Sequence, residues 1–216
     1  MKMNKKKLLT LTGAGCFVAA VSLFVFLLNA GSWLLVSDPL PERLDVVFTF
    51  GGENARVRYS KELMKKHLEA HWFLSDYKFG YTRLLRKDGY NMKRVSHTDT
   101  CSNTLSEVAV LDYWVRSGEA YRRSRGSEAD SVQFIHQSGA ASLQVGLVSS
   151  PYHMRRIQMM VDRTDLKGRV QFHFLPVPMN RYDYDRDMFR KWWKYKNVRR
   201  VVISELQKIV YFWLTN

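Results

Sequence analysis

From Leu8 to Ser37 the chain carries no charged residue. About 20 apolar residues cross a bilayer core, so the run predicts one transmembrane helix over residues 8–37. The pattern then changes to short apolar runs separated by polar clusters. Residues 44–50 are β-branched and aromatic and end at Gly51-Gly52, the signature of a buried strand. Residues 55–71 place Leu63, Met64 and Leu68 on one helical stripe with lysines opposite. Residues 71–74 predict a second strand, closed by Ser75-Asp76. Between 78 and 96 only a short helix over 82–87 is legible. A polar turn at 99–104 leads into a helix over 105–116. The charged stretch 118–130 predicts an exposed loop, and 131–137 reads either as a strand or as part of an insertion. Residues 143–148 form the next strand, 152–162 its helix, and 170–177 a further strand closed by Pro176 and Pro178. The tail over 184–214 reads as helical and aromatic.

Strands that alternate with helices imply a mainly parallel sheet with helices on both faces. The boundaries are a basic tail at 1–7, the span at 8–37, a linker at 38–43 stiffened by Pro39 and Pro41, and an α/β domain over 44–216. In such folds ligands bind beyond the carboxyl ends of the strands, where the polar clusters fall.

Charge adds orientation. Formal net charge is +14, and four lysines lie in the first seven residues. The positive-inside rule keeps those lysines in the cytoplasm and the rest of the chain outside it. A cleavable signal peptide is the alternative, but its apolar core is usually shorter, and Asn29-Ala30-Gly31 is a poor cleavage site. The exported part keeps a net +10, which favours anionic lipid head groups and phosphorylated or acidic polymers. Nucleic acid is not expected in that location, and no motif for it is visible. Cys16 lies in the span and Cys101 beyond it, so no disulfide is expected. The six histidines lack paired-ligand spacing, so no metal site is expected.

The densest chemistry lies at Val148-Ser149-Ser150-Pro151-Tyr152-His153-Met154-Arg155-Arg156. Ser150 is placed to cap the helix, and Pro151 suits its first position. Free N–H groups and the helix dipole favour an anion there, with Ser149, Ser150, Tyr152 and Arg155 as ligand contacts. His153 is the candidate for acid–base work. Gly51 and Gly52 allow a sharp turn and close approach to a ligand. Glu53 is a second acid–base candidate, and Arg56, one turn into the helix, could clamp an anion bidentately. Thr104-Leu105-Ser106-Glu107 fits a capping box, which leaves the Asn103 carboxamide freer to meet a ligand; Asn103, Thr104 and Glu107 are all candidate ligand contacts. Neither Ser149 nor Ser150 sits in the Gly-x-Ser-x-Gly elbow of serine esterases. In the tail, Arg190-Lys191-Trp192-Trp193-Lys194-Tyr195-Lys196 suits either a membrane interface or a helix packing its aromatics on the sheet. Glu205 and Lys208 are spaced for a surface pair.

Three of these elements occur in a telling order: Gly51-Gly52 followed by Arg56, Asn103-Thr104 followed by Glu107, and Ser150-Pro151-Tyr152-His153-Met154-Arg155 after a central strand. Together they resemble the YdcF-like (SanA–ElyC) family of bacterial envelope proteins over about residues 45–178. The resemblance implies a Rossmann-like three-layer α/β/α domain behind a membrane anchor. It also implies a role in cell-envelope or peptidoglycan biogenesis. The family commonly has Ser-Gly where this chain has Ser75-Asp76, and its acid often follows the Asn-Thr pair by two positions, whereas Glu107 follows Thr104 by three. The segment 78–96 is shortened and the insert at 118–130 is additional. The function expected is binding or processing of an anionic, phosphorylated envelope precursor or lipid carrier at the inner membrane. Hydrolysis or transfer at a phosphate or sugar linkage is the candidate reaction. The alternatives are a non-catalytic envelope-integrity or scaffold factor and an enzyme using a nucleotide or adenosyl cofactor. Cofactor and protein partners are unknown from sequence.

Overall fold

The computed structural model describes residues 5–76, 80–117, 119–122, 130–133, 142–166 and 168–215. The chain divides into two compact units, Leu35–Tyr182 and a second that joins the chain up to Leu34 with the chain from Asp183.

The first unit is an α/β sandwich. Its elements are β1 (Val46–Thr49), α2 (Asn54–Lys66), β2 (His71–Ser75), α3 (Gly80–Lys87), β3 (Val95–Thr98), α4 (Thr104–Ser117), β4 (Glu119–Arg122), β5 (Asp130–Gln133), β6 (Leu143–Ser149), α5 (Met154–Val161) and β7 (Val170–Pro176). The strands form one sheet in the order β5-β4-β3-β2-β1-β6-β7. Five of them, β3-β2-β1-β6-β7, make an all-parallel core, the Rossmann-like arrangement. In β1 Val46 pairs with His71 of β2 on one side and Val145 of β6 on the other. Every residue of β1 and β2 is buried, as a strand covered on both faces requires.

Alternate residues of each strand serve alternate faces. Val47, Trp72, Leu74, Val148 and Leu175 pack with Val57, Leu63 and Met64 of α2 and Tyr81 and Leu85 of α3. Phe48 and Phe73 turn to the other face, stacked with centroids 5.1 Å apart, and Phe73 meets Trp114 of α4 at 6.0 Å. Polar groups inside the first layer are paired. Trp72 Nε1 donates to Thr49 Oγ1 at 2.8 Å, and Thr49 Oγ1 lies 2.6 Å from Ser60 Oγ. The stretch expected as a linker is pinned at the sheet edge: Asp38 N donates to Phe174 O, and Phe174 N to Asp38 Oδ2, both at 2.8 Å.

Several boundaries differ from the sequence reading. The helix expected over 55–71 ends at Lys66, because His67–Ala70 form the turn into β2. The helix after Ser150 opens as a 3-10 turn over Pro151–His153. The exposed loop expected at 118–130 carries strands at both ends, β4 and β5, paired antiparallel from Glu119↔Gln133 to Arg122↔Asp130. β4, inside the edge strand β5, carries no apolar period and was not expected, whereas β5 falls largely in the stretch 131–137, for which a strand was one of the two readings. Residues 123–129 and 134–137 lie outside the described residues.

The second unit contains α1 (Lys5–Leu34), α6 (Arg186–Arg190), a 3-10 turn over Trp192–Lys194 and α7 (Lys196–Thr215). Within α1, Ala14–Leu34 is 21 residues long with a mean hydropathy of 2.1, long and apolar enough to cross a membrane. Residues 14–29 are exposed, while Ala30, Gly31 and Leu34 are buried. A Cβ on Gly31 would stand 2.1 Å from Phe189 O, so only glycine lets α6 approach this closely. Trp192 Nε1 donates to Leu27 O at 3.0 Å. In α7, Lys208 Nζ does pair with Glu205 at 2.7 Å, but Glu205 is 1% exposed. The expected surface pair is thus half interior.

Candidate functional site

The strand order reverses beside β1: the chain moves from β1 to β2 and β3 on one side, and later to β6 and β7 on the other. The carboxyl ends of β1 and β6 flank this switch point, where open α/β sheets leave a crevice. The Phe50–Glu53 turn and the Ser150–His153 turn both lie there.

Arg56 ties the two turns together. It is 4% exposed, reaching back from α2 to donate through Nε to Ser150 Oγ at 3.0 Å and through Nη1 to Phe50 O at 3.3 Å and to Gly51 O. Gly52 has φ +137°, and a Cβ there would lie 3.0 Å from the Arg56 guanidinium carbon. Gly52 is therefore required both by backbone conformation and by the cation packed on it. Ser150 Oγ donates to Glu53 Oε2 at 2.7 Å and accepts from Tyr182 OH at 3.2 Å. Tyr152 OH donates to Glu53 Oε1 at 2.6 Å, and Tyr81 OH to Glu53 O at 3.0 Å. On the other side Gly51 N donates to Glu107 Oε1 at 2.6 Å, joining α4 to the turn after β1.

The two carboxyls are driven in opposite directions. Burial raises Glu53, but hydrogen bonds from Tyr152, Ser150 and Tyr182, with the charge of Arg56, outweigh it and hold Glu53 below its ordinary value. Burial dominates at Glu107 and raises it, against the opposing pull of Ser75, the Gly51 N–H, Arg56 and Arg156. Glu107 is 6% exposed. Paired acids with separated proton affinities are the arrangement that general acid–base chemistry uses.

His153 and Arg155 stand at the start of α5. Arg156 Nη2 lies 3.2 Å from His153 Nδ1. A guanidinium only donates, so this bond leaves the neutral ring's proton on Nε2. Arg155 is half-buried and donates to Gln158 Oε1 at 2.7 Å.

Four expected roles change. Ser150 precedes the helix, but its hydroxyl does not cap it, because Glu53, Arg56 and Tyr182 engage that oxygen. Arg56, expected as an anion clamp, turns its Nε and Nη1 donors inward to Ser150 and two carbonyls. The capping box lies one residue earlier than expected. Ser106 N donates to Asn103 Oδ1 at 3.0 Å, and Asn103 N to Ser106 Oγ at 3.3 Å. Asn103 is thus committed to the helix and Thr104 is not its cap, while Glu107 is released into the site. Ser149 is 1% exposed and, by strand alternation, faces away from Ser150. Gly51, Gly52, Glu53, Arg56, Glu107, Ser150 and Tyr152 are brought into one bonded network.

Asp76 accepts from Tyr81 N and Thr82 N, each at 2.6 Å, and from Thr82 Oγ1. It caps α3 from a buried position. Sequence reasoning missed Tyr182 and Tyr81. Tyr182 follows the carboxyl end of β7, beside β6, so it becomes legible only once that adjacency is known. Among the described residues no group of three His, Cys, Asp or Glu side chains could hold a metal ion.

Fold and network together define a Rossmann-like α/β unit with a carboxylate–arginine site at its switch point. Comparison with protein-family models, curated proteins and solved structures finds no match.

Proposed function

We propose that this chain is a membrane-anchored envelope protein of the YdcF-like kind. In this reading α1 holds it in the cytoplasmic membrane with Lys2, Lys5, Lys6 and Lys7 inside. The α/β unit then lies outside, where it binds and processes an anionic, phosphorylated envelope precursor or lipid carrier. One observation carries the reading: Arg56 bonds both Gly51 O, in the turn that Glu107 holds through Gly51 N, and Ser150 Oγ, which donates to Glu53. Two carboxyls thus share one bonded network, Glu107 raised by its burial and Glu53 lowered, against burial, by its hydrogen bonds. Glu53 is the base that takes a proton from the attacking water or hydroxyl. Glu107 returns a proton to the leaving oxygen, with the Gly51 N–H fixing its Oε1. Arg156 and the half-buried Arg155 supply the positive edge that receives the substrate's anion, with the His153 Nε2–H as a further donor. Hydrolysis or transfer at a phosphate or sugar linkage fits this pair.

The test uses the full chain in detergent with an isoprenyl phosphate and an isoprenyl diphosphate as probes. Binding is measured by calorimetry and turnover by phosphate release. Glu53→Gln and Glu107→Gln should each retain binding and lose turnover by about 10²-fold or more. Absence of binding by the wild-type chain would remove the phosphorylated-lipid reading. Binding without turnover would favour the non-catalytic envelope factor, a reading consistent with Arg56 turning its Nε and Nη1 donors into the protein.

A further inference from the structure

Between Arg190 and Arg200 the second unit carries six basic residues, three aromatic ones and no acid. Lys194, Lys196, Arg199 and Arg200 are exposed, as are the rings of Trp193 and Tyr195 at 38% and 37%. The place where this segment meets α1 gives it meaning. Trp192 Nε1 bonds Leu27 O, and α6 closes on Gly31 through Phe189. The segment is thus fixed at the last two turns of α1. Above Leu27 the helix becomes buried at Ala30, Gly31 and Leu34; from residue 14 to residue 29 it is exposed.

Bilayer dimensions set the level. The apolar run stops being exposed after Asn29, where Ala30, Gly31 and Leu34 are buried by protein, so its lipid-facing part ends there. At about 1.5 Å per residue, the roughly 20 residues up to Leu27 cover about 30 Å, the thickness of the hydrocarbon core. Leu27 then stands at its outer boundary. The indole bonded there lies in the zone where tryptophan and tyrosine concentrate, and the exposed lysines and arginines lie among the head groups.

We propose that residues 190–200 form an interfacial collar that binds anionic lipid head groups around the outer end of α1. Charge selects the occupant. Arg190 is paired with Asp187 at 3.1 Å, but Lys194, Lys196, Arg199 and Arg200 are exposed with no acid among them and attract an anionic leaflet surface. Aromatic rings between them suit the interface rather than a soluble acidic partner. The collar rests on the reading of α1 as a span, and the experiment separates the two.

The full chain is reconstituted in phosphatidylcholine vesicles with or without phosphatidylglycerol. A nitroxide is attached either at the native Cys16, with Cys101→Ala, or at position 195, with Tyr195→Cys, Cys16→Ser and Cys101→Ala. Relative access of oxygen and of a polar nickel chelate reports depth. The label at Cys16 should be buried in hydrocarbon in both vesicles. The label at position 195 should sit at head-group depth in both vesicles, lose mobility and nickel-chelate access when phosphatidylglycerol is present, and regain both in high salt or with Lys194→Gln, Lys196→Gln, Arg199→Gln and Arg200→Gln combined. A water-exposed Cys16 label would overturn the span and the collar together. A buried Cys16 label with a position-195 label that stays aqueous, or ignores both lipid charge and the glutamine substitutions, would overturn the collar alone.

Discussion

Gly52 and the two glutamates show how single residues set the site. At φ +137°, with Arg56 Cζ 3.0 Å from where a Cβ would go, Gly52 has no substitute. Gly52→Ala should lower stability by about 1–3 kcal/mol, the usual scale of one strained backbone position, seen as a reduced denaturant midpoint. The glutamates predict two opposite pH dependences. Glu107 is raised above its ordinary value of 4.5 in the folded chain. Its contribution is fully present below that value and is lost as pH rises through the folded-state value. Glu53 is lowered from 4.5, so its contribution is present above that value and is lost as pH falls. Melting temperature measured against pH should therefore decline less on the alkaline side in Glu107→Gln, and less on the acid side in Glu53→Gln. Equal slopes in wild type and both variants would mean that neither carboxyl is perturbed.

The elements that position these residues differ in how far their sequences reveal them. β1 and β6 were legible because buried parallel strands are written as apolar runs, and β7, at the sheet edge, because Val170, Phe172 and Phe174 alternate with Gln171 and His173. β4 was not, because Glu119-Ala120-Tyr121-Arg122 is four residues long and has no apolar period. At the start of α4 the local signal was ambiguous by one residue. Asn103 and Thr104 can both cap, and only the fold shows that Asn103 does so while Glu107 is drawn to Gly51 N. This separates two neighbours experimentally. Asn103→Ala should cost about 1 kcal/mol as a lost cap, whereas Thr104→Ala should stay within about 0.5 kcal/mol, both by chemical denaturation. The reverse order would restore the capping box at Thr104. Glu107 was singled out for its spacing, but its burial and its bond across 56 residues to Gly51 are products of topology. The same holds for Tyr182, whose partner Ser150 lies 32 residues away.

At the scale of the whole molecule the function depends on which side of the membrane the α/β unit occupies. Four lysines precede the uncharged run from Leu8 to Ser37, and the first charged residues after it are Asp38, Glu42, Arg43 and Asp45, with one basic group among them. Orientation follows lysine and arginine near the span ends rather than net charge, and four against one is the basis of the proposal that the N-terminus lies inside. A reporter joined after Thr215 should then behave as extracytoplasmic in a bacterial host: alkaline phosphatase, which needs an oxidising compartment to form its disulfides, should be active, and a cytoplasm-dependent fluorescent reporter dark. Replacing Lys2, Lys5, Lys6 and Lys7 with glutamine should weaken the bias and yield a mixed population. An inactive phosphatase beside a bright cytoplasmic reporter would put the carboxylate–arginine site where phosphorylated envelope precursors are made rather than where they are used. The lipid-carrier substrate would then give way to a soluble phosphorylated one, while the acid–base assignment of Glu53 and Glu107, which depends only on the local network, would stand.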